Sequence, residues 1–254
     1  MTMMKIGLLQ FDIAWEDPEK NRERIRRIFE GFRDADTMDW LLLPEMSLSG
    51  FSMDPKKTEV SEQDFEFFGT LAGDHGMYIT FGGVHAGRNC SITVTGEEVV
   101  ARYAKVHLFS PGGESRAYTP GKDVLTFRLG EVNVTPFVCY DLRFPDAFYA
   151  AAEQTDIFAV IANWPARRQE HWKTLLRARA VENQAFVAAV NRIGCSPDAA
   201  YRGGSTVIAP DGKIVADFEG REGILVAEID PGDVKTVRNA FPVFNDRKPG
   251  KEIQ

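Results

Sequence analysis

The regular alternation of short apolar segments with helical patterns is the feature that most constrains the fold of this chain. The segment Lys5–Phe11 is short and apolar, as in a buried strand. Asp17-Pro18-Glu19 then supplies a helix N-cap, a proline at the first helical position and an early acidic residue. Large apolar residues follow at the i, i+3, i+4, i+7 spacing of an amphipathic helix, namely Ile25, Ile28, Phe29 and Phe32. The chain is therefore predicted to begin with a strand followed by a helix.

The same two patterns recur along the rest of the chain. Turn signals at Gly130 and at Pro210-Asp211-Gly212-Lys213 predict hairpins, and Pro145 fits the first turn of a helix. Two longer helices are predicted at Ser61–Gly73 and from Gln169 to Asn183. Further strands are predicted at Trp40–Leu43, Met77–Val84, Asn89–Val94, Val99–Val106, Val124–Arg128, Val132–Val138, Ile157–Ala162, Phe186–Asn191, Ser205–Ala209, Lys213–Asp217 and Ile224–Ile229. About eleven strands and four helices predict two packed sheets with helices outside, a four-layer α/β/β/α sandwich, although a doubly wound sheet has the same periodicity.

No low-complexity linker, charge block or internal repeat interrupts this pattern. We therefore predict one domain over residues 1–254, with residues 238–254 as a C-terminal tail. The tail contains three large apolar residues among prolines and charges, namely Phe241, Val243 and Phe244. A frayed end does not explain them, so the tail is expected to pack on the surface or on a partner subunit.

Composition excludes several classes of protein. With 44% hydrophobic and 26% charged residues the chain is typical of folded proteins, and 30 basic against 37 acidic residues give a net charge of −7. An acidic chain is not expected to bind nucleic acid. Charged residues interrupt every apolar run before the roughly 18 residues of a membrane span, and the first residues lack the pattern of a signal peptide. Three cysteines without paired spacing argue against a disulfide framework or a zinc site and favour the reducing cytoplasm.

Three polar residues follow apolar stretches. Glu45 comes after Leu41–Pro44, Lys105 after Val99–Ala104, and Cys139 after Val134–Val138. Ligand sites in α/β sheets lie at the carboxyl ends of strands, so these side chains are candidates for one site. A carboxylate can take the proton of a thiol and later give it to a leaving amine. A lysine and the backbone N–H of Tyr140 can then stabilise an oxyanion.

Structural interpretations of the same residues remain open at this point. A cysteine on an apolar strand is commonly a buried small hydrophobic residue. A glutamate or lysine at the end of a strand is commonly a solvated charge, and spacing alone does not prove that the three side chains meet.

The local sequences around these residues favour one shared site over separate structural roles. They read Leu42-Leu43-Pro44-Glu45-Met46, then Tyr103-Ala104-Lys105-Val106-His107-Leu108-Phe109, then Val138-Cys139-Tyr140-Asp141-Leu142-Arg143-Phe144-Pro145. In this order they closely resemble the motifs of the nitrilase superfamily of carbon–nitrogen hydrolases. The resemblance extends to Ala162-Asn163-Trp164-Pro165, Arg177–Asn183 and Gly204–Gly212, and so covers essentially the whole chain.

The resemblance implies a role for each motif residue. Cys139 corresponds to the nucleophile, Glu45 to the general base and then general acid, and Lys105 to the oxyanion stabiliser. Glu114 stands where the family has a second glutamate that positions lysine and substrate, although its local motif is shorter; a carboxylate in a turn is the structural alternative. The family fold is the α/β/β/α sandwich, commonly in a homodimer or higher oligomer, with no metal or organic cofactor.

The neighbours of the nucleophile admit two interpretations each. Arg143 is a candidate for binding a substrate carboxylate, but we favour an ion pair of Asp141 with Arg143, or loop hydrogen bonds, that hold the turn. His107 would be the base of a rival Cys–His pair, but we expect it to pack behind the site. The four histidines show no metal-ligand spacing, so no metal site is predicted.

Candidate substrate-binding residues follow the other motifs. Phe51 comes after the first motif, and Trp164 at the end of an apolar strand is expected to form a wall of the acyl pocket. Arg167 and Arg168 come next, at a helix N-terminus where cations are electrostatically unusual. We therefore predict that Arg168 binds an anionic group of the substrate; solvated arginines are the alternative.

The motifs look most like the omega-amidase branch of the superfamily. Those enzymes hydrolyse the terminal amide of 2-oxoglutaramate or 2-oxosuccinamate and release ammonia. A hydrolase of N-carbamoyl amines or amino acids and an amidase for deaminated glutathione are alternatives with the same chemistry. A catalytically silent metabolite-binding scaffold is the non-enzyme alternative, disfavoured because binding alone needs no nucleophile.

Overall fold

The computed structural model describes residues 3–33 and 35–248. Within them the chain forms thirteen β-strands and seven α-helices. The strands are β1 (Met4–Gln10), β2 (Trp40–Leu42), β3 (Tyr78–His85), β4 (Arg88–Val94), β5 (Val99–Ala104), β6 (Phe127–Leu129), β7 (Val132–Val138), β8 (Ile157–Ala162), β9 (Phe186–Asn191), β10 (Ile193–Ser196), β11 (Ala199–Ile208), β12 (Ile214–Glu219) and β13 (Gly223–Ile229). The helices are α1 (Pro18–Glu30), α2 (Pro55–Thr58), α3 (Glu62–Asp74), α4 (Glu114–Ala117), α5 (Pro145–Ala151), α6 (Gln169–Asn183) and α7 (Gly232–Ala240).

The strands form two mixed sheets. The first has the order β13-β1-β2-β3-β4-β5, with β1, β2 and β3 parallel. The second has the order β10-β11-β9-β8-β7-β6, with β7, β8 and β9 parallel and β12 paired to β11. Parallel strands joined through helices bring their carboxyl ends to one edge, so β2, β7 and β8 end where a ligand site is expected.

The side chains of β2 show how the layers are arranged. Trp40 and Leu42 belong to the core shared with the second sheet, whereas Leu41 and Leu43 belong to the core under α1 and α3. Successive side chains of a strand point to opposite faces, so a strand with apolar residues at every position is buried on both faces. On the far side, α5 and α6 cover the second sheet. The fold is the predicted α/β/β/α sandwich.

Several local predictions are confirmed. Asp17 caps α1 through its side chain, with Pro18 at the first helical position. The helix predicted at Ser61–Gly73 is α3, and it begins with a capping box of Ser61 and Asp64 that was not predicted. Helix α6 has the predicted bounds. The turn at residues 210–213 joins β11 to β12, with the N–H of Ala209 bound to the carbonyl of Lys213 at 2.8 Å.

The structure differs from the predicted elements where contacts with distant parts of the chain determine which residues form a strand or helix. The hairpin at Gly130 is present, but its first strand is Phe127–Leu129 rather than Val124–Arg128. Continued pairing would place Leu125 opposite Pro136, which has no N–H to donate. Strand β10 and the first residues of β11 were missed because their mixed sequence lacks an apolar period, as were the short α2 and α4 and the helix α7.

The C-terminal tail begins later than predicted. Residues 238–240 belong to α7, and residues 249–254 lie outside the described part of the chain. Phe244 packs against the core of the second sheet, and Arg247 lies 4.0 Å from its ring centroid. Phe241 is 68% exposed. Within the tail, Phe244 is thus packed and Phe241 is not. No helix that the structure describes has the length and apolar character needed to cross a membrane.

Candidate active site

Glu45, Lys105 and Cys139 meet where β2, β5 and β7 end. The Lys105 Nζ atom lies 2.8 Å from Glu45 Oε1 and 2.9 Å from Glu114 Oε2. Cys139 lies close enough to Glu45 and Lys105 for their charges to shift the pKa of its thiol. Three residues separated by 60 and 34 positions along the chain thus share one site, which sequence spacing alone could not show.

The two carboxylates and the ammonium are sealed from solvent. Glu45, Lys105 and Glu114 have no exposed side-chain surface. Burial alone would lower the pKa of Lys105, but the carboxylates of Glu45 and Glu114 outweigh burial and raise that pKa. Lys105 is therefore a permanent cation, positioned from both sides.

Cys139 stands at a strained turn. Its φ is 48°, in the left-handed region, and a 3-10 turn over Cys139–Arg143 follows directly from β7. Burial raises the pKa of the Cys139 thiol well above its usual value. The negative charge of Glu45 raises it further and the charge of Lys105 lowers it. The resting thiol is therefore protonated, and its activation requires a base in contact with it.

Asp141 holds the turn from behind. Its carboxylate accepts hydrogen bonds from the backbone N–H groups of Val138 and His107, at 3.1 and 2.8 Å, and from the hydroxyl of Tyr103 at 2.8 Å. The ring of His107 stacks on Phe144 with 3.8 Å between centroids, and its Nδ1 lies 2.9 Å from Asp141. His107 thus packs against the turn, in contact with Phe144 and Asp141.

Of the two favoured possibilities, Asp141 forms loop hydrogen bonds and no ion pair with Arg143. Asp141 points inward to the groups just named, and Arg143 points the other way. Its guanidinium lies 4.8 Å from the ring of Trp164, and it lines the cavity in front of Cys139. None of the residues that the structure describes pairs ionically with Arg143.

Two asparagines to which the sequence analysis gave no role also bind Glu45. Asn89 donates from Nδ2 to Glu45 Oε1 at 2.8 Å and to Glu114 Oε1 at 2.7 Å. The backbone N–H of Asn163 donates to Glu45 Oε2 at 2.9 Å. A buried asparagine at the start of the apolar strand β4 was the available signal for Asn89, since buried polar groups need partners.

A cavity of about 700 Å³ opens onto Cys139. All the predicted substrate-binding side chains line it, namely Phe51, Trp164 and Arg168, as does Tyr140 beside the nucleophile. The β10–β11 hairpin forms the opposite wall with Ser196, Asp198, Ala199 and Tyr201. A second cavity, about 410 Å³ between α1 and α3, contains none of the motif residues.

The cavity wall has more cationic than acidic side chains, four arginines against Glu16, Asp54 and Asp198. Arg116, Arg143, Arg167 and Arg168 line it, and none of them forms an ion pair with an acid in the described residues. Burial lowers the pKa of Arg168, and the neighbouring charges of Arg167 and Arg143 lower it further. Unpaired arginines that repel one another favour an anionic ligand. Among the residues described, no group of three or more His, Cys, Asp or Glu side chains is arranged to hold a metal ion.

The chain is similar to proteins of known family. Residues 5–239 match the model of the carbon–nitrogen hydrolase family. The chain is 33% identical to the 2-oxoglutaramate amidase of Bacillus subtilis, over 95% of this chain and 96% of the relative. It is 34% identical to the omega-amidase YafV of Escherichia coli K12, over 97% of each chain.

A solved structure agrees with these relatives. The protein XC1258 of Xanthomonas campestris, a carbon–nitrogen hydrolase with an arsenic adduct in its active site, superimposes with a TM-score of 0.91. It is 32% identical to this chain and the match covers 98% of each. The motif order, the sandwich fold, the family match and these relatives lead to one conclusion: this chain belongs to the nitrilase superfamily of carbon–nitrogen hydrolases.

Proposed function

We propose that this chain is an omega-amidase. It hydrolyses the terminal carboxamide of a small keto-acid amide, 2-oxoglutaramate or 2-oxosuccinamate, through a cysteine thioester and releases ammonia. The observation that carries the proposal is the buried ion pair of Glu45 with Lys105 beside Cys139, at a cavity lined by four arginines. The names of the Bacillus subtilis and Escherichia coli relatives support the substrate class.

Acylation begins from a protonated thiol. Glu45 takes the proton of Cys139 as the sulfur attacks the amide carbon, which keeps the buried thiolate from forming alone. Lys105 and the backbone N–H of Tyr140 bind the oxyanion that develops on the amide oxygen. Glu45 then gives its proton to the nitrogen, the carbon–nitrogen bond breaks, and ammonia leaves a thioester on Cys139.

Deacylation uses the same groups in reverse. Glu45 takes a proton from a water molecule as its oxygen attacks the thioester carbon, and Lys105 again binds the oxyanion. The carbon–sulfur bond breaks and Cys139 recovers its proton from Glu45. Glu114 and Asn89 position Lys105 and Glu45 during acylation and deacylation. Both residues contact the ion pair and lie outside the cavity wall.

Arg168 binds the distal carboxylate of the substrate in this proposal. Its guanidinium lies 5.4 Å from the ring of Phe109, which orients it over the cavity. Trp164 and Phe51 flank the acyl chain from the apolar side. A carboxylate there would offset the mutual repulsion of the arginines, which favours an acidic amide over a neutral one.

We also propose that the chain forms one domain and works in the cytoplasm as a homodimer or higher homo-oligomer. Three cysteines without paired spacing support a reducing compartment, in which a nucleophilic thiol stays reduced. Exposed apolar side chains support self-association: Val181 lies beside the turn that leads into β12, where Ile214 and Val215 are exposed.

The direct test is ammonia release from 2-oxoglutaramate by the purified protein, with Cys139→Ala as the blank. We expect release by the wild type and none above background in the variant, because the thioester cannot form. Activity retained in Cys139→Ala contradicts covalent catalysis. No release from a folded wild type rejects the substrate, and carbamoyl compounds and deaminated glutathione are then assayed.

The same assay tests Arg168. Arg168→Ala is expected to raise KM for keto-acid amides by roughly tenfold or more, the effect of losing a charge-assisted hydrogen bond. For neutral amides KM should change little. An equal change for both amide classes removes Arg168 from the binding role.

A further inference from the structure

Asn163 has one polar atom without a partner at the centre of the site. Its backbone N–H donates to Glu45 Oε2 at 2.9 Å, and its side-chain Nδ2 donates to the backbone carbonyl of Glu45 at 2.5 Å. The side-chain Oδ1 is buried and accepts no hydrogen bond from the residues that the structure describes. Asn163 is 4% exposed and lines the same cavity as Cys139.

The chemistry of these contacts determines which end of the amide is free. A rotation that exchanged Nδ2 and Oδ1 would put two acceptor oxygens against each other, because the Glu45 carbonyl cannot donate. Nδ2 therefore stays on Glu45 and Oδ1 remains the unpaired acceptor. A buried acceptor without a partner has lost its hydrogen bond to water, so a ligand that supplies an N–H is favoured there.

We propose that Asn163 Oδ1 accepts a hydrogen bond from the nitrogen of the scissile carboxamide. This contact selects primary amides and orients the leaving nitrogen toward Glu45. The proposal rests on the amidase function proposed above and adds a group that recognises the leaving nitrogen. The motif residues inferred from the sequence bind other parts of the substrate, since Lys105 and Tyr140 bind the oxygen and Arg168 binds the distal acid.

The geometry suits the step in which nitrogen leaves. As sulfur bonds to the carbon, the nitrogen lone pair is no longer shared with the carbonyl and becomes basic. One N–H held on Asn163 Oδ1 keeps that lone pair directed to the proton that Glu45 received from Cys139. Both residues are already linked through the two hydrogen bonds of Asn163 to Glu45. The nitrogen takes this proton, the carbon–nitrogen bond breaks, and ammonia departs.

The test compares an amide with the methyl ester of the same acid. The ester has no N–H on its leaving group but forms the same thioester, and kcat/KM reports the steps up to its formation. We expect Asn163→Ala to lower kcat/KM for the amide by roughly 10- to 100-fold, as for one lost hydrogen bond, and for the ester by less than about threefold. The ratio of the two values does not depend on how much of the protein is folded.

Asn89→Ala is the matched control. Asn89 also donates to Glu45 but is not part of the cavity wall. Its loss is therefore expected to lower kcat/KM for the amide and for the ester by the same factor. An equal loss of amide and ester activity in Asn163→Ala, or no loss in either, overturns the proposal. If Asn163→Ala does not fold, Asn163→Ser is measured in the same way.

Different results would contradict the proposed substrate and the proposed role of Asn163. If 2-oxoglutaramate is not hydrolysed, the amide-to-ester ratio is measured on any primary amide that the wild type does hydrolyse. A wild type that hydrolyses the ester but no primary amide contradicts the role of Asn163 outright.

Discussion

Cys139 occupies a backbone conformation that few residues tolerate. Its φ of 48° lies in the left-handed region, which costs a residue with a Cβ atom about 1–2 kcal/mol relative to glycine. The turn is held by the three hydrogen bonds to Asp141, so the surrounding structure imposes this conformation. In this conformation the thiol lies near Glu45, whose charge raises its pKa. The strained backbone conformation thus helps to position the thiol in the site.

Replacing Cys139 with glycine tests this strain. Cys139→Gly is expected to be more stable than Cys139→Ala by about 1 kcal/mol in urea unfolding, because glycine adopts a positive φ without penalty. At Cys90, within the extended strand β4, the order is expected to reverse. A Cys139→Gly variant less stable than Cys139→Ala would show that the turn stores no strain.

At the scale of elements, β3 supports the loop that carries Glu45. The N–H of Leu43 donates to the carbonyl of Thr80 at 2.8 Å, and the N–H of Ser47 donates to that of Gly82 at 2.9 Å. A Cβ atom on Gly82 would lie 2.5 Å from both Glu45 Cα and Met46 N, closer than real contacts allow. The backbone of Glu45 therefore rests directly on a glycine of the neighbouring strand.

Gly82→Ala is expected to displace Glu45 and lower kcat/KM by roughly 100-fold, since a shift of about 1 Å in a catalytic group has an effect of that size. The measurement is the initial rate of ammonia release. Gly69→Ala in α3 is the control, because its nearest neighbouring atom would lie 3.8 Å from the new Cβ. Its activity should equal that of the wild type. Unchanged activity in Gly82→Ala would mean that the loop is not held by this contact.

At the scale of the whole molecule, the core under α1 and α3 encloses a thiol. Cys90 is 3% exposed and belongs to the same apolar cluster as Phe81 and Val94. Burial raises the pKa of Cys90 from 9.0 to about 11. Above about pH 9 the unfolded chain loses this proton while the folded chain keeps it, so the free energy of unfolding falls as pH rises.

The contribution of this thiol to the slope should reach about 1 kcal/mol for each pH unit near pH 10. We expect Cys90→Ala to flatten the pH dependence of the free energy of unfolding in this range by that amount. Val94→Ala creates a cavity in the same core but removes no ionisable group. It should lower the free energy of unfolding and leave its dependence on pH unchanged. Urea unfolding at successive pH values measures both. Equal slopes in wild type and Cys90→Ala would rule out a raised pKa.

The strands with unbroken apolar runs and the helices with capping signals were predictable from local sequence. Trp40–Leu42 and Asp17-Pro18 are examples, because a strand buried on both faces and a capped helix each leave a local signature. The predicted convergence of Glu45, Lys105 and Cys139 followed from their places at strand ends and from the family motifs. Strand β10 left no such signature, so the cavity wall with Ser196 and Tyr201 was missed.

Local periodicity and the order of the motifs thus determine the layers of this protein, its family and the residues at the floor of its site. The direction of Arg143, the contacts of Asn89 and Asn163 with Glu45, and the left-handed turn at Cys139 depend on groups far apart in the chain. Asn163, for example, bonds to a residue 118 positions away. Such contacts arise when two sheets pack and buried polar groups must find partners, and no window of neighbouring residues encodes them.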